Sequence, residues 1–220
     1  MNNSRVFNKA EQQILEEIMT LRRDVRGNHF TNQAVEPQIV QKLLSVAAIS
    51  PSVGFSQPWE FVVIRDEQIK AEVVDNYIKA SAVEHQAFDD ANQVKYNRLK
   101  LEGILEAPVN IAVFYKSTDE VTLGQTSMPE MGEYSVVCAV QNMWLMGRAM
   151  NIGIGWVSIL DPESIKQTLN APDDLKLVAY LCVGYVDQFL PKPELELLQW
   201  KKRKALEEVI NYDRFKSRVL

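Results

Sequence analysis

Residues 132–150 read GEYSVVCAVQNMWLMGRAM, and their apolar side chains fall on nearly every side of a helical wheel. In a soluble chain that pattern marks a helix in the middle of a domain, or one that packs into a second subunit. The run carries Gln141, Asn142 and Arg148, so it is too short and too polar to cross a bilayer. Working outward, four short runs rich in β-branched residues read as strands: 61–64, 109–115, 154–159 and 177–185. Helical spacing separates them. It appears at Ile14, Leu15, Ile18 and Met19, again from Ile39 to Ala47 behind Pro37, and over 67–78.

Two further stretches have distinct expectations. Residues 81–100 are polar, with apolar positions too sparse for a core face, and 81–105 reads as a solvent-side lid. Residues 194–220 follow the breaks at Pro191 and Pro193 and read as a charged, helical C-terminal extension that wraps a partner subunit. The whole chain, 1–220, is expected to be one domain.

With 46% hydrophobic and 24% charged residues, the chain can bury a sizeable core. Its 24 Lys and Arg against 29 Asp and Glu give a formal charge of -5, and no basic run exceeds Lys201, Lys202, Arg203 and Lys204, which argues against a nucleic-acid partner. No apolar leader opens the sequence, and Cys138 and Cys182 sit inside apolar runs without disulfide spacing. A cytoplasmic protein without a membrane span is expected.

Several familiar chemistries are absent. Gly153-Ile154-Gly155-Trp156-Val157-Ser158 begins like a dinucleotide fingerprint, but Ser158 stands where the third glycine belongs. There is no Walker loop, residues 54–58 fail the nucleophile-elbow pattern, and His29 and His85 lie far from each other and from the cysteines. No metal site is expected.

What remains is Arg22-Arg23-Asp24-Val25-Arg26, three guanidinium groups within five residues at a helix end. Arginine forks match phosphate oxygens bidentately, so the cluster suits a phosphorylated ligand; a solvated, salt-bridged loop is the plainer alternative. Asp24, flanked by cations, is expected to be ionised with a low pKa, and either pairs an arginine or points elsewhere as an acid/base group. The loop Pro51-Ser52-Val53-Gly54-Phe55-Ser56-Gln57-Pro58-Trp59 offers hydroxyls, an amide and a close-approach glycine. It can hydrogen-bond the polar edge of a planar heterocycle, or be a turn and nothing more. Ser158 reads as a core hydroxyl in a strand or a ligand contact, and Arg203 as an exposed helix residue or a remote phosphate ligand.

Taken in order, Arg22-Arg23-x-x-Arg26, the 51–59 loop and the Gly153-x-Gly155 strand resemble the flavin-binding nitroreductase family, over residues 22–203. The resemblance implies an α+β fold, with a central, mainly antiparallel sheet flanked by helices. It further implies a homodimer with FMN at the interface, the arginines on the phosphate and Ser52, Gly54 and Gln57 on the ring system. Asp24 where such proteins usually carry Ser, Phe55 where they usually carry Asn, and the strings 99–104, 106–110, 138–144 and 155–159 are similar to one branch, the 5,6-dimethylbenzimidazole synthases. That branch consumes reduced FMN as substrate, with O2 as co-substrate, and releases 5,6-dimethylbenzimidazole, the lower ligand of vitamin B12, and erythrose 4-phosphate.

By the same resemblance Asp24 handles protons and Ser158 positions the flavin, both as catalytic residues. Leu99, Lys100, Gly155, Trp156 and Arg203 join the flavin contacts. A lid over the ring keeps out water and nicotinamide, so reduced FMN arrives from a separate flavin reductase. The alternatives are an FMN-dependent NAD(P)H nitroreductase or quinone reductase, a non-catalytic flavin-binding protein, and a dimeric module without a ligand.

Overall fold

The structure, a computed structural model, describes residues 4–215. Its centre is a four-stranded sheet in the order β1-β2-β4-β3, formed by β1 (Trp59–Ile64), β2 (Val109–Lys116), β3 (Ile152–Val157) and β4 (Leu175–Tyr185). Every neighbouring pair is antiparallel. The α+β architecture and antiparallel sheet expected from the sequence are therefore present.

The central strands read as continuous apolar runs because both faces of the sheet are covered. Side chains alternate between faces with period two, so Val109, Ile111 and Val113 of β2 and Ala179, Leu181 and Val183 of β4 enter one core. Ala112, Phe114, Tyr180 and Cys182 enter the other. The first core is closed by α2 (Pro37–Ala48) and α5 (Met131–Ala149), the second by α3 (Glu67–Gln86) and α6 (Pro162–Thr168).

Helix α5 is the stretch that opened the sequence reading. Val136, Ala139, Val140, Met143 and Gly147 recur at three- and four-residue spacing and are buried against the sheet. Others of that all-round pattern face outward: Tyr134 and Val137 are exposed, as is Cys138, while Trp144 and Met146 are half-buried against the core; Cys182 lies buried in the sheet. Helix α1 (Lys9–Leu21) is more extreme. A capping box between Asn8 and Glu11 starts it, yet none of its residues is buried, and Ile14, Leu15 and Met19 lie half exposed.

Three expectations change. The 67–78 helix continues to Gln86, because Asp66 caps it through the Gln68 and Ile69 amides and nothing in the polar 79–86 stretch breaks it. The expected lid therefore begins inside α3 and continues into α4 (Asp90–Tyr96). Its far end is core: Glu102 and Ile104 are buried, and Ile104 is fully so. The third strand ends at Val157, which leaves Ser158 just beyond it and exposed, not a core hydroxyl.

The C-terminal extension departs furthest. Over 194–215 only the single turn α7 (Glu194–Leu197) and a 3-10 turn at Leu206–Glu208 form; 216–220 lie outside the described residues. Pro193 gives α7 no side-chain cap, and Gln199, at φ 59°, turns the chain back. Residues 201–215 are exposed throughout, so no buried face rewards a helix too short to stand alone. Among the described residues no helix is long and apolar enough to cross a membrane.

Candidate active site

The arginine-rich stretch is held by the sheet edge beside β3. Arg22 ends α1 in extended conformation, and Asp24 then forms a parallel bridge to Ile154, with the Val25 amide donating to the Ile154 carbonyl at 3.1 Å. This close approach explains Gly155: a methyl group there would lie well inside contact distance of the Val25 carbonyl oxygen. Trp144 of α5 donates its Nε1–H to the carbonyls of Arg23 (3.1 Å) and Ile154 (2.9 Å), joining helix, strand and arginine stretch at one point.

The three arginines have different employment. Arg23 is spent on the backbone: Nε donates to Leu190 O at 2.7 Å, Nη2 to Pro191 O at 2.6 Å, and Nη1 to the carbonyls of Thr20 and Arg22. Arg26 is buried, with Nη1 on Leu101 O at 3.0 Å and Nη2 on Asp24 Oδ2 at 2.5 Å. The Arg22 guanidinium lies over the Trp144 ring, 4.4 Å from its centroid, with no hydrogen-bond or salt-bridge partner among the described residues. Arg203 has none either; burial lowers the pKa of Arg22, the nearby Asp24 carboxylate opposes this, and the like charge of Arg203 adds a smaller lowering.

Arg22, Arg23, Asp24, Arg26 and Arg203 line one cavity of about 640 Å3, closed on the far side by 191–196. That volume is ordinary for a ligand pocket. Two guanidinium groups on one cavity, neither in a salt bridge among the described residues, are an arrangement an anion relieves, so the phosphate end of a flavin fits this donor set. Glu194 and Glu196 also line the cavity; Lys192 takes up Glu196 at 3.5 Å. Among the described residues no three His, Cys, Asp or Glu side chains gather as metal ligands.

Asp24 sits at the floor of this cavity, Oδ1 accepting from the Trp156 amide at 2.9 Å and Oδ2 paired with Arg26. The low pKa expected from sequence is not what the environment gives. Burial of the carboxylate raises its pKa, and this outweighs the lowering by Arg26, the Trp156 amide and Arg22. About a third of the side chain (32%) still faces the cavity. The raised value means that the native state keeps a proton the unfolded chain has released above about pH 4, so the stability Asp24 contributes is full below about pH 4 and is lost as pH rises through the folded value. Asp24→Asn should therefore gain on the unaltered protein in thermal melts as pH rises from about 4 to 7. A melting-temperature gap that stays constant over this range would contradict the assignment.

The other predicted residues divide. Gly155 and Trp156 lie against Asp24 through the contacts just given. Lys100 is paired with Glu102 and, at 2.8 Å, with Glu106; Leu99 continues from α4 through its amide on Tyr96 O. Neither lines the cavity, and nor does Ser158. The Ser52, Gly54 and Gln57 loop is fixed by its own contacts: Ser52 Oγ accepts the Gln57 amide at 3.1 Å, and Gly54 (φ 56°) has the Leu123 carbonyl within 2.8 Å of where a Cβ would stand. It rests on Ser135 through the Val53 amide, whereas Arg22 rests on Trp144. Nine residues of α5 (135 to 144), about 13 Å of helix rise, separate these supports. The arginine stretch and the 51–59 loop thus stand at different ends of one helix. Sequence reasoning missed Trp144 as a site residue, although it lay in the 138–144 string, and missed the cavity wall at 191–196, which has no local signal.

The sequence signature of the nitroreductase family matches residues 19–185. The chain is 40% identical to a 5,6-dimethylbenzimidazole synthase of Rhodospirillum rubrum, over 93% of this chain and 97% of that protein. Solved structures share the fold. The crystal structure of oxidized iodotyrosine deiodinase bound to FMN and 3-iodo-L-tyrosine superposes with a TM-score of 0.73 at 21% identity, covering 91% of this chain and 100% of that one. A BluB-like flavoprotein from Clostridium difficile 630 gives 0.67 at 21%, covering 91% and 99%. With the arginine stretch, the glycine-bearing β3 and the antiparallel sheet all in place, the chain belongs to the nitroreductase family, on the branch that holds the 5,6-dimethylbenzimidazole synthases.

Proposed function

We propose that this chain is a 5,6-dimethylbenzimidazole synthase, which consumes reduced FMN and O2 and releases 5,6-dimethylbenzimidazole, for the lower face of vitamin B12, and erythrose 4-phosphate. The observation that carries the reading is Asp24: a carboxyl group that burial inclines toward holding a proton, at the floor of a cavity whose rim carries two unpaired guanidinium groups. The near full-length relationship to a curated synthase supports the same activity.

Arg22 and Arg203 hold the phosphate, and Arg23 and Arg26 keep the cavity in shape. Asp24 carries or accepts a proton, and Arg26 and the Trp156 amide steady its ionised form. Reduced FMN supplies the electrons that O2 takes up and the ring carbons that leave as product. Ser52, Gly54 and Gln57 meet the ring system from a second copy of the chain, which the uncovered faces of α1 and α5 and the separation of the two half-sites support. Leu99, Lys100, Gly155, Trp156 and Ser158 complete the flavin surroundings in that homodimer, with 81–101, short of the buried 102–104, as its water-excluding cover. The enzyme works in the cytoplasm, supplied with reduced FMN by a separate flavin reductase.

The test mixes the purified protein with chemically reduced FMN in air, without NAD(P)H, and follows products by chromatography and mass spectrometry. 5,6-Dimethylbenzimidazole should appear as flavin disappears. Full recovery of the flavin as oxidised FMN would overturn the proposal and turn attention to nitro or quinone reduction with NAD(P)H. Arg203→Gln should weaken FMN binding about tenfold, since loss of a charge-assisted contact at an exposed side chain is moderated by solvent. Flavin fluorescence titration reads this; an unchanged Kd would remove Arg203 from the site.

A further inference from the structure

We infer that Phe88 and Trp200 form an aromatic latch that holds the arm of residues 190–203 across the cavity and so sets the position of Arg203. They are positioning residues for the phosphate end, and the inference rests on the phosphate reading given above.

The arm is pinned at two places. At its start, Arg23 grips the carbonyls of Leu190 and Pro191. Beyond the single turn of α7, Gln199 takes a left-handed backbone (φ 59°), and the Trp200 amide returns to the Leu195 carbonyl at 2.8 Å. This reversal delivers the Trp200 ring edge-on to Phe88, with centroids 5.4 Å apart and planes at 89°. That is the preferred geometry of an aromatic pair.

Phe88 is itself fixed. It lies in the turn between α3 and α4, where its amide donates to the His85 carbonyl at 3.2 Å and its carbonyl accepts Gln93 Nε2 at 2.8 Å. Its ring packs on Tyr96 with centroids at 5.5 Å, and the Tyr96 hydroxyl is held by Ser81 and Glu84. From Lys201 to Ala205 the chain is exposed and without regular structure, and Arg203 has no side-chain partner among the described residues. Three positions separate Arg203 from Trp200 (203 minus 200), which makes the latch the nearest fixed point.

The latch joins the expected lid to the phosphate end. Displacement of the α3–α4 turn frees the arm, and a phosphate that draws Arg203 inward steadies the turn, because coupling between two sites acts equally in both directions.

The experiment uses the full chain. Lys201, Lys202, Arg203 and Lys204 are four consecutive tryptic sites on the arm. In protein without ligand, Phe88→Leu and Trp200→Leu should each speed cleavage there about fivefold, and FMN should slow cleavage of the unaltered protein. In titrations with oxidised FMN and with riboflavin, which lacks the phosphate, each variant should raise the FMN Kd about fivefold and leave the riboflavin Kd unchanged. Trp200→Leu should add nothing in an Arg203→Gln background.

Unchanged cleavage and FMN affinity in both variants would overturn the latch. So would equal losses for FMN and riboflavin, or equal affinity of the unaltered protein for the two. If the variants behave as expected but reduced FMN in air gives no benzimidazole, the latch stands and the synthase reading falls.

Discussion

Asp24→Asn should cut 5,6-dimethylbenzimidazole formation from reduced FMN in air by about 10²- to 10⁴-fold, the range in which positioned proton transfer contributes. The substitution keeps the shape of the side chain and an acceptor for the Trp156 amide, and removes both the exchangeable proton and the ion pair with Arg26. Flavin binding should survive, since Arg22 and Arg203 are untouched. The expected pattern is therefore bound flavin, returned as oxidised FMN, with product lost. A variant that still forms product within about threefold of the unaltered rate would remove Asp24 from the proton-transfer role.

Gly155→Ala should be the most damaging small substitution in the site. Its methyl group meets the Val25 backbone carbonyl, and a backbone atom cannot swing aside as the end of a side chain can. Either the 24–25 stretch leaves β3 or the strand shifts, and the Val25–Ile154 and Asp24–Trp156 hydrogen bonds go in either case. We expect a cost of about 3–5 kcal/mol, which corresponds to a melting temperature about 10 °C lower for a domain of this size, together with loss of flavin binding. Thermal denaturation and flavin titration measure the two effects. A melting temperature within about 2 °C of the unaltered protein would show that the strand accommodates a methyl group there.

These expectations draw on what was local in the sequence. Strands β2 and β4 were legible because residues buried on both faces leave an uninterrupted apolar run, and α5 because its apolar surface goes nearly all round. The arginine cluster was legible as a cluster. Its division of labour was not, because the Leu190, Pro191 and Leu101 carbonyls that occupy Arg23 and Arg26 lie far along the chain. The pKa of Asp24 was misjudged for a related reason: neighbouring arginines are visible in sequence, burial is not. The C-terminal extension looked helical from its charge pattern, yet helicity there needs a surface to pack on, and residues 201–215 are exposed throughout. The end of α3 was misplaced because polar residues allow a lid and an exposed helix alike.

The placement of the two cysteines lends itself to chemical labelling. Cys182 is enclosed by the sheet, and burial pushes its thiol pKa up, so it forms little thiolate and admits no reagent. Cys138 stands open on the outer face of α5. A maleimide dye added to the folded protein should therefore attach at one known position, with no residue replaced. Its rate of attachment then serves as a gauge of assembly: a face that meets a second copy is shielded as protein concentration rises, while a face turned to solvent reacts at the same rate throughout.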